Sequence, residues 1–255
     1  MQLPSFLKRA VLGVIRRSGY VLLHDNYQTT GNLLGDTQVS FRELSEKVKP
    51  FTNTSTERLY ALYSAIEYII GAGIQGDIVE CGVAHGGSMM MAALTLQAFG
   101  DTSRRIIMFD TFAGMPKPDP ERDGKLYFEE WQRRKIDDKS SHWGDVSMDE
   151  VAANMRSTGY PMDKISLVKG MVEDTLEANL PGPIALLRLD TDWYESTAHE
   201  LKHLYPLLAQ RGVMILDDYG CMPGPRQAVD EYLRDNKIAI LLNRIDSDGR
   251  LAIKA

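Results

Sequence analysis

The sequence predicts an α/β protein in which a mostly parallel sheet carries helices on both faces and ends in an antiparallel hairpin. Two apolar runs, 184–189 and 212–216, enclose a stretch from Ser196 to Leu208 in which leucines recur at helical spacing. A strand, a helix and a strand in this order form a βαβ unit, whose strands are parallel. Further strand and helix patterns alternate along the chain, as one parallel sheet requires.

The other elements follow from local signals. A helix begins at Thr54 or Ser55, which are good N-cap residues, and ends at a glycine pair around Ala72. Between this helix and the terminal hairpin we expect, in order, strand 77–81, helix 89–99, strand 105–109, helix 148–155, strand 165–168, the βαβ unit and helix 225–233. Strands 238–242 and 251–253, joined by the turn Ser247–Arg250, form the hairpin.

Length and composition limit the classes of protein that remain. A chain of 255 residues suits one α/β domain with additions. A formal net charge of −6 argues against broad nucleic-acid binding. The two cysteines, Cys81 and Cys221, lie far apart, which suits a reducing cytoplasm, and no apolar run is long enough to span a bilayer. We therefore expect a cytoplasmic protein with no nucleic-acid partner.

The first 53 residues form a separate region of the prediction, an N-terminal helix followed by a lid segment, ahead of a single domain at 54–255. Residues 3–17 place apolar side chains on one helical stripe and basic side chains on the other. We favour a helix that docks on its own domain or on a second subunit of a homo-oligomer. A weak contact with a membrane surface is the alternative. Residues 18–53 are polar and irregular.

Acidic residues follow both strands of the βαβ unit. Asp190 and Asp192 come after the first strand, and Asp217 and Asp218 come after the second. Because ligands bind at the carboxyl ends of parallel strands, three of these carboxylates, Asp190, Asp217 and Asp218, are expected to converge there. Carboxylates this close need a counter-cation, and a hard divalent ion such as Mg²⁺ is the natural partner. Turn residues and helix caps are the alternative interpretation of each cluster taken alone.

A glycine-rich turn follows strand 77–81, with the pattern Glu80-x-Gly82-x-x-x-Gly86-x-Ser88. Glycines let a ligand approach the backbone, and the N-terminus of the next helix attracts an anion. The pattern differs from the dinucleotide-binding fingerprint, and such a turn is often only a tight connection. Asp110 ends the next strand, where an acidic side chain can hold the two hydroxyls of a ribose.

The connection at about 113–148 is long for an α/β domain and contains Trp131, Trp143 and His142. Long connections of this kind are usually functional or disordered. We therefore expect an inserted lid that binds the acceptor substrate.

The order of elements resembles the Rossmann-like class I S-adenosylmethionine-dependent methyltransferase fold. The motifs resemble one branch of it, the macrocin O-methyltransferase family, over roughly residues 50–235. They are Thr54-Ser55-Thr56-Glu57-Arg58, Gly76 to Val83, Gly86-Gly87-Ser88-Met89-Met90, Phe109 to Pro116, Leu187-Arg188-Leu189-Asp190, Trp193 to Thr197, and Asp217-Asp218-Tyr219. The resemblance implies transfer of a methyl group from S-adenosylmethionine to a sugar hydroxyl of a glycosylated natural product or glycan.

The resemblance also implies roles for individual residues. The cofactor-binding residues that it implies are Thr54, Glu80, Gly82, Gly86, Ser88, Asp110, Val172 and Glu173. Asp190, Asp217 and Asp218 are the implied ligands of Mg²⁺ or another divalent cation. Related catechol-type enzymes carry a lysine base after the first metal ligand, and this chain has Asp192 and Trp193 there. The candidate catalytic residues are therefore Asp190, Asp192 and His142.

Two other classes of protein remain as alternatives. A nicotinamide-dependent oxidoreductase would use the same order of strands, but the dinucleotide fingerprint is missing. A non-catalytic cofactor-binding protein would have no need for acidic residues at the end of each strand.

Overall fold

A seven-stranded sheet forms the centre of the protein. The computed structural model describes residues 37–255, and within them the strands lie in the order β3-β2-β1-β4-β5-β7-β6. The strands are β1 Asp77–Cys81, β2 Ile106–Asp110, β3 Ile165–Lys169, β4 Ile184–Leu189, β5 Leu208–Leu216, β6 Asn243–Arg244 and β7 Arg250–Ile253. Strands β1 to β5 pair in parallel, and β7 pairs antiparallel with both β5 and β6. The predicted fold class is confirmed.

Helices cover the sheet in two groups. They are α1 Val39–Val48, α2 Thr56–Gly71, α3 Gly87–Ala98, α4 Lys125–Arg134, α5 Met148–Ser157, α6 Val172–Thr175, α7 Tyr194–Leu204 and α8 Pro223–Asp235. Helices α1, α2 and α3 pack together, and α7 packs on α8. The apolar side of α7 joins a buried core with alternate strand residues such as Val79, Leu187 and Met214. Alternation along the strands thus divides the sheet between two faces.

Helix α2 begins where the sequence predicted. The Ser55 side chain accepts a hydrogen bond from the Arg58 backbone N–H at 3.1 Å and caps the first turn. Helix α7 ends earlier than predicted, at Leu204, and a short 3₁₀ turn at Tyr205–Leu207 follows. Pro206 lies in this turn, and its ring and missing N–H are incompatible with a continuing helix.

Part of the segment expected to be irregular is a helix. Within 18–53, residues 39–48 form α1, whose Phe41, Leu44 and Val48 are buried on one side. Their spacing of three and four residues is the helical signal that the polar composition of the segment obscured. The predicted helix at 3–17 and its membrane or subunit contact lie outside the described residues. No helix in residues 37–255 is long and apolar enough to cross a membrane.

The long connection at 113–148 also contains regular structure. Helix α4 lies inside it, and the Trp131 side chain is only 1% exposed. The Trp131 indole N–H donates to the Met115 carbonyl at 3.1 Å, and the Ser141 hydroxyl donates to the same carbonyl at 2.8 Å. The segment therefore packs on the domain as ordered structure and is organised around α4.

The terminal hairpin is shorter than predicted. Residues 238–242 are not paired as a strand, and β6 is confined to Asn243–Arg244. Ile238, Ile240 and Leu242 pack on the core, while Leu241 is 81% exposed. The alternation of apolar residues at 238–242 suggested a strand. It reflects burial of one side of the segment, which does not require hydrogen bonds to a neighbouring strand.

Candidate active site

A cavity of about 460 Å³ opens at the carboxyl ends of the parallel strands. This is the edge at which open α/β sheets bind ligands. The residues predicted from sequence that line it are Thr54, Gly82, Ser88, Asp110, Val172, Glu173, Asp190, Asp192, Asp217 and Asp218. The fold therefore brings together most of the residues that the sequence placed in one site.

Sheet register places the acidic residues side by side. Leu189 of β4 is the register partner of Leu216 of β5, so Asp190 and Asp217 leave the sheet at the same level. The Asp217 backbone N–H donates to the Leu189 carbonyl at 2.9 Å and extends this pairing by one residue. Carboxylate oxygens of Asp190, Asp217 and Asp218 lie within 4.8 Å of one another. We call these three residues, with Asp192, the carboxylate edge.

Arg188 is buried beneath the carboxylate edge and is 2% exposed. Its guanidinium donates to Glu80 and to Asp190 at 2.6 Å each, and it also pairs with Asp217. A planar guanidinium with several N–H donors suits several carboxylates at once. Arg188 therefore links the ends of β4 and β5 through Asp190 and Asp217.

Arg58 of α2 approaches the same group from the other side. It pairs with Asp217, and its Nε donates to Asp246 at 3.0 Å. Asp246 also accepts from the Ser55 hydroxyl at 2.6 Å and from the Gly249 backbone N–H at 2.7 Å. The start of α2, the terminal hairpin and the carboxylate edge are thus joined through one arginine.

The two arginines leave negative charge in excess at this edge. Burial, and then neighbouring carboxylates, raise the pKa of Asp192 well above its usual range. Burial also raises the pKa of Asp218, and the adjacent Asp217 raises it further. The pKa of Asp190 is likewise raised by burial, although Arg188 opposes the shift. An all-oxygen donor set with unrelieved repulsion fits a hard divalent cation, and Asp190, Asp217 and Asp218 would hold it.

The other half of the cavity is built from the turn after β1. We call residues 82–88 the glycine turn; it ends in the buried Ser88 in the first turn of α3. Gly82 and Gly86 have φ of +78° and +85°, in the left-handed region that favours glycine. A Cβ at Gly82 would lie 2.2 Å from the Asp190 carbonyl oxygen. Gly82 therefore lets β1 and β4 end close together, and Gly86 positions the helix, whose N-terminus faces the cavity.

Asp110 fastens the glycine turn to β2. One of its carboxylate oxygens accepts from the Val83 backbone N–H at 2.6 Å, and the other accepts from the Phe112 backbone N–H at 2.8 Å. Asp110 also lines the cavity. On the far side, burial raises the pKa of Glu173, which lies beside Val172 at the start of α6.

This sheet order and this cavity can be compared with known proteins. A model described as Macrocin-O-methyltransferase (TylF) matches residues 22–252. The chain belongs to this family. The 4′-O-methyltransferase of Streptomyces olivaceus named for 8-demethyl-8-(2,3-dimethoxy-α-L-rhamnosyl)-tetracenomycin C is 33% identical over 198 residues, or 78% of this chain and 73% of that protein. The mycinamicin III 3″-O-methyltransferase of Micromonospora griseorubida is 30% identical over 255 residues, or 96% of each chain.

Solved structures agree with this assignment. The O-methyltransferase NovP superposes with a TM-score of 0.73 at 31% identity, covering 80% of this chain and 82% of that one. The calicheamicin methyltransferase CalS11 superposes with a TM-score of 0.59 at 19% identity over 92% of this chain and 95% of that one, a likeness of fold alone. The chain is thus an S-adenosylmethionine-dependent O-methyltransferase, as the sequence predicted.

Three predicted site residues of this methyltransferase, Glu80, Gly86 and His142, do not line the cavity. Glu80 is fully buried in β1 beneath it, where it pairs with Arg188. Burial raises the pKa of Glu80 to about 7, against the lowering effect of Arg188. Glu80 is thus directed to a buried face of the sheet and contacts Arg188 instead of the cavity. Gly86 is the N-cap residue of α3, with a left-handed φ, and lies outside the lining of the cavity.

His142 is the other candidate that the structure does not bring to the site. Its side chain is 72% exposed and lies 3.5 Å from Asp145. The neighbouring Ser141 and Trp143 point inward, and Trp143 lines the cavity. His142 is therefore not placed to act as the base, and Asp190 and Asp192 remain as the catalytic candidates that line the cavity.

Sequence reasoning assigned no role to Arg58 or Arg188. Arg188 carried a usable signal, because a charged residue inside an otherwise apolar strand must find a partner. Arg58 carried none, since its partner Asp217 is 159 residues away in the chain.

Proposed function

We propose that this methyltransferase acts on a hydroxyl of a sugar carried by a natural product or glycan, and that it requires Mg²⁺ or another divalent cation. The proximity of Asp190, Asp217 and Asp218 is the observation that carries the proposal. The relative from Streptomyces olivaceus is named for methylation of a compound that carries a rhamnosyl group, which supports the acceptor class.

The glycine turn, Asp110 and the start of α6 would hold the cofactor. The turn and the N-terminus of α3 offer backbone N–H groups to its carboxylate, with Ser88 beside them. Asp110 would accept hydrogen bonds from the ribose hydroxyls. Val172 and Glu173 would contact the adenine from the far wall, where Val172 is 4% exposed.

The carboxylate edge would hold the cation and orient the acceptor. A cation bound there supplies a Lewis acid that lowers the pKa of a coordinated hydroxyl. Arg188 and Arg58 keep Asp217 fixed, so the oxygens of the edge need little rearrangement to receive a ligand. Such positioning of reacting groups accounts for a large part of the rate in many transfer reactions.

Aromatic residues of the cavity would receive the sugar ring. Trp143 and Trp193 both line it, with ring centroids 6.0 Å apart in an edge-to-face arrangement. Trp193 is anchored because its indole N–H donates to the Pro116 carbonyl at 2.9 Å. The C–H faces of a sugar pack well on such rings, whose faces carry partial negative charge. Segment 113–148 would thus form the acceptor wall.

Asp192 is our choice for the base. It lies in the cavity without an arginine partner among the described ion pairs, whereas Asp190 is bound by Arg188. S-adenosylmethionine held by the glycine turn would supply the methyl group to the acceptor oxygen. The hydroxyl proton passes to Asp192.

Methyl transfer from labelled S-adenosylmethionine to a panel of glycosides and matching aglycones tests the proposal. We expect labelling of glycosides alone, silence in EDTA and recovery on addition of Mg²⁺. Asp190→Asn should abolish transfer, while Asp145→Asn, at an exposed position outside the cavity, should leave it intact. Full activity in EDTA would refute the cation requirement, and labelling of the aglycones would refute the sugar acceptor.

The homo-oligomer and the cytoplasmic location that the sequence suggested remain predictions.

A further inference from the structure

Helix α7 carries a motif that methyl transfer does not use. Its residues 199–203 read His-Glu-Leu-Lys-His, which is the H-E-x-x-H pattern. On a helix, two histidines four residues apart share one face and can bind a single metal ion. The rings of His199 and His203 are indeed adjacent, with centroids 4.3 Å apart.

A third ligand faces the histidine pair. Glu177 begins a 3₁₀ turn at Glu177–Asn179, and its carboxylate lies 3.7 Å from Nε2 of His203. One ligand atom from each of Glu177, His199 and His203 lies within 4.8 Å of the other two. Small side-chain rotations would bring three such atoms to the ~2 Å metal–ligand distances of a zinc centre.

One nitrogen of each histidine, Nε2, has no hydrogen-bond partner among the described residues. The Nε2 atoms of His199 and His203 are both buried and make no hydrogen bond. Among the described residues, only one other buried side-chain polar atom, Oε2 of Glu80, is in the same condition. Unsatisfied buried polar atoms are costly, and two of them facing one carboxylate call for a ligand.

We propose that Glu177, His199 and His203 bind one late first-row divalent metal ion, with Zn²⁺ as the natural occupant. Two imidazoles and one carboxylate are a donor set that such ions prefer over Mg²⁺. The carboxylate edge offers oxygen alone and suits the hard cation. Zn²⁺ should therefore prefer the site with the two histidines, and Mg²⁺ should prefer the carboxylate edge.

The new site is a structural clamp without hydrolytic activity. In hydrolases with this motif, the glutamate acts as general base on metal-bound water. Here Glu200 is fully buried, and its two carboxylate oxygens each lie 3.0 Å from the Thr191 hydroxyl, which donates to them. Bound metal would instead join α7 to the turn that follows α6, and α6 begins at the cavity wall.

Calorimetric titration of Zn²⁺ into the untagged, metal-stripped full chain tests the site, with Mg²⁺ in excess so that the cation site proposed at the carboxylate edge would be occupied. We expect one equivalent of Zn²⁺ to bind the wild type. His203→Ala should weaken it beyond the roughly 10–100-fold that loss of a second-shell partner costs. His142→Ala removes an exposed histidine with a carboxylate neighbour and should change nothing. Visible absorption of bound Co²⁺ gives a second readout, since tetrahedral sites absorb strongly.

Glu177→Gln keeps the test decisive if His203→Ala does not fold, because the Glu177 side chain is 72% exposed. This variant should weaken Zn²⁺ and lower the Co²⁺ absorption. The proposal is overturned if the wild type takes up no Zn²⁺ in excess Mg²⁺. It is also overturned if His203→Ala, or Glu177→Gln where His203→Ala is unfolded, binds Zn²⁺ as tightly as the wild type.

Discussion

The glycine turn and the carboxylate edge occupy the same end of the sheet but are built in opposite ways. The glycine turn depends on backbone conformation, with left-handed glycines and N–H groups held by Asp110. The carboxylate edge depends on charge, with buried carboxylates held by Arg188 and Arg58. The glycine turn fixes the shape of its part of the cavity through the backbone and buries little charge. The carboxylate edge holds like charges close together, and a bound cation can relieve their repulsion.

This difference predicts which changes each half tolerates. An added side chain disrupts the backbone conformation of the glycine turn. Removal of one partner from a buried ion pair destabilises the carboxylate edge. Substitutions in each half of the site separate these two kinds of disruption.

Arg188→Met should cause the largest loss of stability. It leaves Glu80, Asp190 and Asp217 buried without their shared cation, and removal of one partner from a buried ion pair costs about 3–5 kcal/mol. Urea unfolding measures the loss. Arg133→Met is the control, because Arg133 is 72% exposed in its ion pair and should change stability little. A change below about 1 kcal/mol for Arg188→Met would show that the carboxylates do not depend on this arginine.

Gly82→Ala probes the other half, with Gly73→Ala as its match. Both glycines have left-handed φ, but a Cβ at Gly73 meets nothing within 4 Å, whereas at Gly82 it collides with the Asp190 carbonyl. Gly73→Ala should cost about 1–2 kcal/mol from conformation alone. Gly82→Ala should cost about 1–3 kcal/mol more from overpacking. Equal losses of unfolding free energy would mean that β1 and β4 need no close approach.

Asp110→Ala should weaken cofactor binding. Loss of hydrogen bonds to a charged group costs about 1.5–3 kcal/mol, and the glycine turn also loses its fastening to β2. Calorimetry with S-adenosylhomocysteine measures the affinity. Asp145→Ala, at an exposed aspartate outside the cavity, is the control. Unchanged affinity in Asp110→Ala would remove Asp110 from cofactor binding.

Glu80 should give a pH-dependent effect. Its pKa of about 7 in the folded protein exceeds the ordinary value of 4.5, so the folded state holds the proton more tightly. Its contribution to stability is therefore present below pH 4.5 and is lost as the pH rises to 7 and beyond. Glu80→Gln should flatten the fall in unfolding free energy across this window, by at most about 1.4 kcal/mol per pH unit. An unchanged slope would contradict the raised pKa.

The two halves also differ in how far the sequence alone predicted them. The glycine turn, Asp110 and the carboxylate edge were found because each lies at the end of an apolar run, and parallel strands bring such ends together. Arg58 was missed because its partner lies on another element, and His142 was misplaced because side-chain direction in a connection depends on packing. Helix α4 was missed inside 113–148, where the charged composition of the connection masked the burial of Trp131.

The ion pairs of the carboxylate edge indicate which aspartate tests it best. Asp217 is tied to both arginines, so its removal would disturb two buried ion-pair networks at once. Asp218 has no arginine partner among the described ion pairs, and burial and Asp217 raise its pKa. Asp218→Asn therefore removes repulsion and a cation ligand together, with little other disturbance.

Thermal unfolding of the wild type and Asp218→Asn, each with and without Mg²⁺, tests directly whether the carboxylate edge binds a cation. Binding to the folded state raises Tm by mass action, so Mg²⁺ should raise the Tm of the wild type. Without the cation, Asp218→Asn should be at least as stable as the wild type, and Mg²⁺ should leave its Tm unchanged. An equal shift of Tm by Mg²⁺ in both proteins, or no shift in either, would contradict a cation site at the carboxylate edge. A lower stability of Asp218→Asn without Mg²⁺ would contradict the repulsion among its carboxylates.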